Sequence, residues 1–350
     1  MPTVVWVCRA CGHIQSSDLP DVQAFYNSEY RISLQSTDHD QLYEMRPEGP
    51  LYRTQHQAEL VTEIGLPNGA KILDFGAGKA ATTRRLLDLR PDLRPYVFDV
   101  SEDYRPYWTD WVEPDAQATY EVPHSWERQF DIITAHFVLE HVAAPVEVLT
   151  NLAGYLAPHG SLFFTVPDPI SNPGDMLVVD HISHFVPSSI HAALAGAGLH
   201  VVSLRQDLFR GAHVVVAKAG LDGGALPNPD PAPALALLTN WKQMLVRLST
   251  VLARPDLASA RIAIYGAGFY GALIAPFAGA RLIAFLDRNP HLQGGSLTGR
   301  PILDPAACPP VDLILVALNP ARARDILASD VPWLSSHARL IFLDESSSFS

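Results

Sequence analysis

The stretch Lys71-Ile72-Leu73-Asp74-Phe75-Gly76-Ala77-Gly78-Lys79-Ala80 narrows the fold more than any other part of the chain. Apolar residues run into a carboxylate and then into two glycines, and a helical run follows from about Ala81 to Leu89. Strand, tight turn and helix in that order make the corner around which α/β sheets bind nucleotides. Gly76 and Gly78 permit the turn and a close backbone approach to a ligand, while the helix offers its partly positive N-terminus to an anionic group. Asp74 selects among ligands: a carboxylate in the cradle repels a pyrophosphate and holds an ammonium group. Pro95-Tyr96-Val97-Phe98-Asp99 reads as the second strand, and Asp99, about 25 residues beyond Asp74, is placed to accept from ribose hydroxyls.

Further matches follow in order: Phe130-Asp131-Ile132-Ile133-Thr134-Ala135-His136, Leu139-Glu140-His141, and Leu156-Ala157-Pro158-His159-Gly160-Ser161-Leu162. With Leu73 to Gly78 and Asp99, these residues resemble the class I methyltransferases that use S-adenosylmethionine (SAM). The resemblance spans roughly residues 55 to 217, and it departs at Ala80-Ala81, where many members carry a third glycine. It implies an α/β, Rossmann-like sheet with SAM as cofactor, bound by Asp74, Gly76, Gly78 and Asp99. It also puts the loop before the strand at Phe130 beside the adenine, so that Glu121 or a neighbour contacts the ring amine or lies in a solvated loop. His136 follows the carboxyl end of that strand, where ligands of open α/β sheets collect, and is expected in the pocket. Glu140-His141 is expected to begin the next helix in a capping or pairing role.

A chain of 350 residues that is 48% hydrophobic is long and apolar enough for two or three domains with real cores. Its formal net charge of −12, with 25 Lys and Arg spread along the chain, argues against nucleic acid as the main partner. A small molecule is the expected partner. No apolar run approaches the ~20 residues of a membrane span, and no signal-like start is visible, so a cytoplasmic protein is expected. Three cysteines give no disulfide framework.

Val4 to Gln15 places Cys8-Arg9-Ala10-Cys11-Gly12 at the tip of an apolar strand, like one knuckle of a zinc ribbon. Zinc at Cys8 and Cys11 would need two more ligands; His13 and His39 lack a persuasive spacing, and Cys308 is remote. The segment resembles the second half of the zinc-binding domain that precedes the methyltransferase domain in sugar C-methyltransferases, without its first Cys pair. Tyr26, Tyr30, Tyr43 and Tyr52 follow in a run expected to cover the pocket, and they either touch ligand or pack the cap.

The helix expected over Pro145 to Leu156 buries one face, and a strand over Ser161 to Val166 leads to a Pro- and Gly-rich loop at 169 to 174, long enough for a substrate-side insertion. Asp180-His181-Ile182-Ser183-His184-Phe185 precedes a helix opened by Ser188 or Ser189. An imidazole takes a proton near neutral pH without large tuning, so His181 is the candidate general base, with His184 a weaker substrate-side candidate. His181 matches the histidine in the acid-His-x-Ser-x-Phe stretch of the sugar C-methyltransferases, where it is implicated in deprotonating substrate. The same stretch also serves to lock the loop onto the sheet in many methyltransferases.

Residues 219 to 235 are rich in Gly and Pro and mark a boundary, and an apolar-spaced helix from about Leu235 to Leu252 bridges onward. Then Gly266-Ala267-Gly268-Phe269-Tyr270-Gly271 follows a strand, and Asp287 closes the next strand at dinucleotide spacing. The segment resembles the Rossmann-like C-terminal domain of the sugar C-methyltransferases, departing at Phe269-Tyr270, and its ligand is either a nucleotide or nucleotide-sugar or nothing at all. The expected organisation is a cap over residues 1–54, a methyltransferase domain over 55–218, a linker and bridging helix over 219–260, and a Rossmann-like domain over 261–350. The expected reaction is methyl transfer to a sugar or nucleotide-sugar, carbon favoured over oxygen or nitrogen. The competing classes are an NAD(P)-dependent sugar oxidoreductase and a non-catalytic nucleotide sensor, both using the second corner.

Overall fold

The computed structural model describes residues 4–17, 40–220, 228–328 and 338–344; Tyr26, Tyr30 and His39 lie outside them. The chain groups into two compact units, one of Met1–Asp168 with Val179–Pro231 and one of Pro169–Val178 with Ala232–Ser350. The bridging helix, Ala232–Leu252, belongs to the second unit, because Met244, Leu248 and Leu252 pack in one core with Ile262, Ile274 and Leu282. The loop expected as a substrate-side insertion groups there as well, with Leu177 packed on that core. Residues 1–54 do not separate as a cap.

In the first unit β1 (Val5–Val7) and β2 (Ile14–Ser16) form a hairpin, and β3 (Leu42–Arg46) and β4 (Gly49–Tyr52) form another. The main sheet takes β5 (Lys71–Phe75), β6 (Arg94–Asp99), β7 (Gln117–Thr119), β8 (Phe130–His136) and β9 (Leu156–Pro167). After the two-residue β10 (Ser183–His184) it adds β11 (Leu199–Arg205) and β12 (Ala212–Ala219). The order is β11-β12-β9-β8-β5-β6-β7, parallel from β7 to β9, with β12 antiparallel to β9 and β11 antiparallel to β12. Strand order reverses between β5 and β8, so the ligand crevice of such a sheet opens outside their carboxyl ends.

Successive side chains of a strand face opposite ways, and these strands are apolar on both faces. Ile72, Ile132 and Phe163 pack with Ala58, Val61 and Leu86 from the helices Arg53–Thr62 and Ala81–Leu89. Their neighbours Leu73, Ile133, Leu162 and Phe164 pack with Leu149, Leu152, Ile190 and Leu194 from the helices Pro145–Tyr155 and Pro187–Gly196. The latter helix opens at Pro187 rather than at Ser188 or Ser189, since proline is favoured at the first helical position. Ser188 instead donates its hydroxyl to the Cys11 carbonyl at 2.8 Å. Leu139-Glu140-His141 forms a 3-10 turn, and the helix expected there begins only at Pro145.

The second unit carries a six-stranded sheet around β13 (Ile262–Tyr265), with β14 (Leu282–Leu286), β15 (Ser296–Leu297), β16 (Arg300–Leu303), β17 (Leu313–Val316) and β18 (Arg339–Phe342) in the order β15-β16-β14-β13-β17-β18. All pairings are parallel except β15 with β16. The three glycines of its corner do different work. A Cβ at Gly266 would stand 2.4 Å from the Ala317 carbonyl oxygen and one at Gly271 would stand 2.2 Å from that of Gly266, whereas one at Gly268 meets nothing within 4 Å. Gly271→Ala is therefore expected to destabilise this unit by about 1–3 kcal/mol through overpacking, and Gly268→Ala to change it by less than about 1 kcal/mol. Chemical denaturation of the two variants checks the contrast.

Candidate active site

The turn after β5 is built by backbone bonds to the end of β6. The amides of Gly76 and Ala77 both donate to the Phe98 carbonyl at 2.9 Å, and the Gly78 amide donates to Asp99 Oδ2 at 2.8 Å. Gly76 has φ +73 and a Cβ there would stand 2.5 Å from Val138, so only glycine fits between β5 and the segment after β8. Gly78 has φ +52 and open space before it, with Tyr104 the nearest side chain at 3.9 Å from a Cβ. Ala80 occupies the position of the absent third glycine in the left-handed region, φ +51, at a cost of about 1–2 kcal/mol. No side chain caps the helix Ala81–Leu89 and its first turn holds no acid, which leaves its amides to an anion.

Asp74 does not face this opening. Its carboxylate is 3% exposed and accepts hydroxyl bonds from Thr83 Oγ1 at 2.5 Å and Thr134 Oγ1 at 3.3 Å. The expectation of direct contact with a ligand ammonium gives way to a brace tying the helix to β5 and β8. Burial pushes its pKa up to about 6, against the pull of the two threonines. Near neutral pH it is still an anion behind the turn. Asp99 lies at the end of β6, accepts the Gly78 amide on one oxygen and the Ser101 amide at 3.1 Å on the other, and is held above the usual carboxylate range by burial.

The aromatic run after β6 is partly a support for the turn. Trp108 is fully buried and donates Nε1–H to the Gly78 carbonyl at 2.8 Å, in a cluster with Ala80, Val97, Tyr104, Val112 and Ala116. The four-residue spacing of Tyr104, Trp108 and Val112 is the sequence signal for that buried face. Beside the turn, Tyr120 follows β7 with φ +64 and Phe137 follows β8 with φ +56. With Ala80, three of the five non-glycine residues of positive φ among the described residues lie in the segments leaving β5, β7 and β8. Such strain gathers at functional sites. Glu121 is exposed in the segment after Tyr120, where the adenine loop was expected.

At the carboxyl end of β8 both ring nitrogens of His136 are enclosed and have no hydrogen-bond partner. Burial, with a smaller contribution from the Arg53 guanidinium, holds its pKa down to about 3. An imidazole with two unsatisfied nitrogens in the crevice is the mark of a missing polar partner.

A second group of side chains comes from Glu140-His141 and Asp180-His181. His141 Nδ1 stands 3.0 Å from Asp180 Oδ2, the His141 and His181 rings meet edge to face at 4.8 Å between centroids, and the Ile182 amide donates to the Glu140 carbonyl at 2.7 Å. Burial opposes a charge on His141, but the Asp180 and Glu140 carboxylates outweigh it and raise its pKa.

His184 is not in this group. It is fully buried in a three-stranded sheet formed by β1, β2 and β10, with Nε2 2.9 Å from Ser16 Oγ, so its expected substrate role is replaced by holding the N-terminal hairpin. At the hairpin tip Gly12, φ +75, donates its amide to the Cys8 carbonyl at 2.8 Å, the turn of a metal knuckle. The amides of Cys11 and Ala10 hold the Cys8 thiol below its usual range. Among the described residues Cys8 and Cys11 meet no third metal donor. His13 packs edge-on to Phe185 at 5.2 Å, and burial, then His184, hold its pKa down to about 4. Tyr43 packs on His56 and Phe209 and accepts the Arg210 amide on its hydroxyl at 2.8 Å, a packing role, while Tyr52 precedes the helix Arg53–Thr62 and is 38% exposed.

At the second corner Asp287 accepts the Ala267 amide on Oδ2 and the Asn289 amide on Oδ1, both at 2.8 Å. Tyr270 stacks on Trp241 at 5.9 Å, which accounts for its place in the glycine run, and Phe269 is 57% exposed.

Residues 51–204 match a protein-family model described as a methyltransferase domain. Similar solved structures include a chain of the complex between the Haloferax volcanii Trm112 methyltransferase activator and a putative methyltransferase, at 18% identity and TM-score 0.41, covering 48% of this chain and 91% of that one. The mitomycin 7-O-methyltransferase MmcR matches at 17% identity and TM-score 0.40, covering 48% and 54%. The CcbJ methyltransferase from Streptomyces caelestis matches at 15% and TM-score 0.39, covering 51% and 95%. Residues 51–204 thus match a methyltransferase domain, their sheet is Rossmann-like, and a second sheet stands in the C-terminal region. Among the described residues no helix is long and apolar enough to cross a membrane.

The buried imidazoles set the expected response to acid. A ring held near pH 3 in the folded chain and near 6.5 unfolded stabilises the fold fully above pH 6.5, and that stability is lost as pH falls, by about 1.4 kcal/mol per unit within the window. His13 acts with the same sign, and Asp74, raised when folded, with the opposite sign between its unfolded value and about 6. From pH 7 to pH 5, His136→Asn is expected to lose about 2 kcal/mol less stability than the parent in urea titrations. An identical fall in both contradicts the placement of the ring.

Proposed function

We propose that the domain methylates a small molecule, a sugar or nucleotide-sugar, with an acceptor carbon favoured over oxygen or nitrogen. The observation that carries this reading is the turn after β5 at the switch point of the sheet, open at Gly78 and flanked by Asp99 of β6. The site fits SAM in its chemistry: a carboxylate for ribose hydroxyls, an uncapped helix start for the amino-acid carboxylate, and an anion behind the turn that disfavours pyrophosphate. When bound, SAM supplies a methyl group on a sulfonium, and the acceptor gives up a proton as the new bond forms. Asp99 orients the cofactor, Gly76 and Gly78 let the backbone approach it, and His136 and Glu121 line the crevice. His181, beside His141, takes the acceptor's proton.

The sugar class is supported by the order of parts along the chain, a Cys-x-x-Cys hairpin, a methyltransferase domain and a second glycine corner. We infer that Gly266, Gly268, Gly271 and Asp287 form a second nucleotide site, with Gly268 the open position.

Calorimetric titration with SAM and with NAD tests the assignment: SAM binding is expected, and NAD binding without SAM binding overturns it. Asp99→Asn is expected to weaken SAM binding about 10- to 100-fold, the loss of charge-assisted hydrogen bonds. His181→Ala is expected to lower turnover about 10²- to 10⁴-fold with SAM binding retained. Unchanged turnover would reduce His181 to a structural residue. A screen of nucleotide-sugars for the mass gain of one methylene identifies the acceptor.

A further inference from the structure

We propose that Glu140, His141 and His181 bind a divalent transition-metal ion of the zinc type. Each offers one ligand atom, and the three atoms lie within 4.8 Å of one another. Two imidazole nitrogens and a carboxylate oxygen form a donor set of intermediate softness, suited to zinc and its neighbours rather than to calcium or magnesium. In a loaded site such atoms stand about 3.0–3.5 Å apart, set by metal bonds of about 2.0–2.2 Å. Glu140 is buried and both histidines are half-buried, and rotation of the His181 side chain closes that gap.

Three features prepare the site. His141 Nδ1 lies 3.1 Å from the Asp180 carbonyl and 3.0 Å from its carboxylate, which fixes the ring and leaves Nε2 as the donor nitrogen. A carboxylate behind a metal-binding histidine is the usual outer support of such sites. The two contributing segments are pinned together by the Ile182 amide on the Glu140 carbonyl at 2.7 Å and the Ser183 hydroxyl on the Val142 carbonyl at 2.6 Å. Charge completes the argument. Glu140 and Asp180 are 1% and 3% exposed, so two buried carboxylates gather beside the His141 imidazole, and a divalent cation neutralises the pair.

Val138, two residues before Glu140, packs against Gly76 of the cofactor turn. What the ion does there rests on the methyltransferase reading; whether it binds does not. A bound ion would be held by Glu140, His141 and His181 and would supply Lewis-acid chemistry there.

Cobalt(II) titration of the full chain, followed by its visible d–d absorption, reads the site directly. Cys8 and Cys11 are also potential ligands, so Cys8→Ser with Cys11→Ser is the background, and the absence of a thiolate charge-transfer band confirms nitrogen and oxygen ligation. One equivalent is expected to bind in that background, and His181→Ala and Glu140→Gln are each expected to weaken binding at least 10-fold. His181 is half-buried, so its variant keeps the fold, checked by circular dichroism and by SAM titration run in parallel. No binding in the Cys background, or binding unchanged in His181→Ala, overturns the proposal. SAM binding without cobalt binding overturns the metal alone, and cobalt binding without SAM binding overturns the methyltransferase reading alone.

Discussion

The bond from the Gly78 amide to the Asp99 carboxylate joins the ends of β5 and β6, and the candidate cofactor site depends on it. A turn with two left-handed glycines and a left-handed alanine has little intrinsic preference for one shape. It is fixed from outside, by the Phe98 carbonyl accepting two amides, by Trp108 reaching the Gly78 carbonyl, and by Thr83 drawn down onto Asp74. Each of these groups comes from a different element. The turn is thus a product of the assembled sheet, and an isolated β5–turn–helix segment would keep only the Thr83–Asp74 bond among these restraints.

The strands and the corner were legible because their signals are local: apolar residues at the strand period, a terminal acid and glycines before a helical run. The side on which Asp74 lies was not. That depends on Thr83, a turn into the helix, and on Thr134, which pairs with Asp74 across the sheet from a strand about 60 residues away. The left-handed conformations of Tyr120 and Phe137 were equally hidden, because nothing in either residue type announces positive φ. Trp108 was legible in principle through its four-residue spacing from Tyr104 and Val112.

The run Asp180 to Phe185 shows how one short segment serves two ends. Its even face, through His184, closes against Ser16 of the N-terminal hairpin, and its start, through Asp180, sets His141 beside His181. Pairing over more than 160 residues cannot be read from either strand alone, which is why His184 looked like a substrate group. Gly12 and backbone bonds of the hairpin shape the Cys-x-x-Cys turn.

The two glycine corners share a topology and differ in what fills them. At the second, Gly266 and Gly271 are demanded by neighbouring backbone and Asp287 closes on the loop's own amides; at the first, a buried carboxylate stands behind an uncapped helix start. The central claim is that SAM belongs to the first corner. Hydrogen–deuterium exchange of the full chain with and without SAM tests it most directly. The account predicts slowed exchange in peptides covering residues 75–83 and 98–101 and unchanged exchange over 265–271. Protection confined to 265–271 would contradict it.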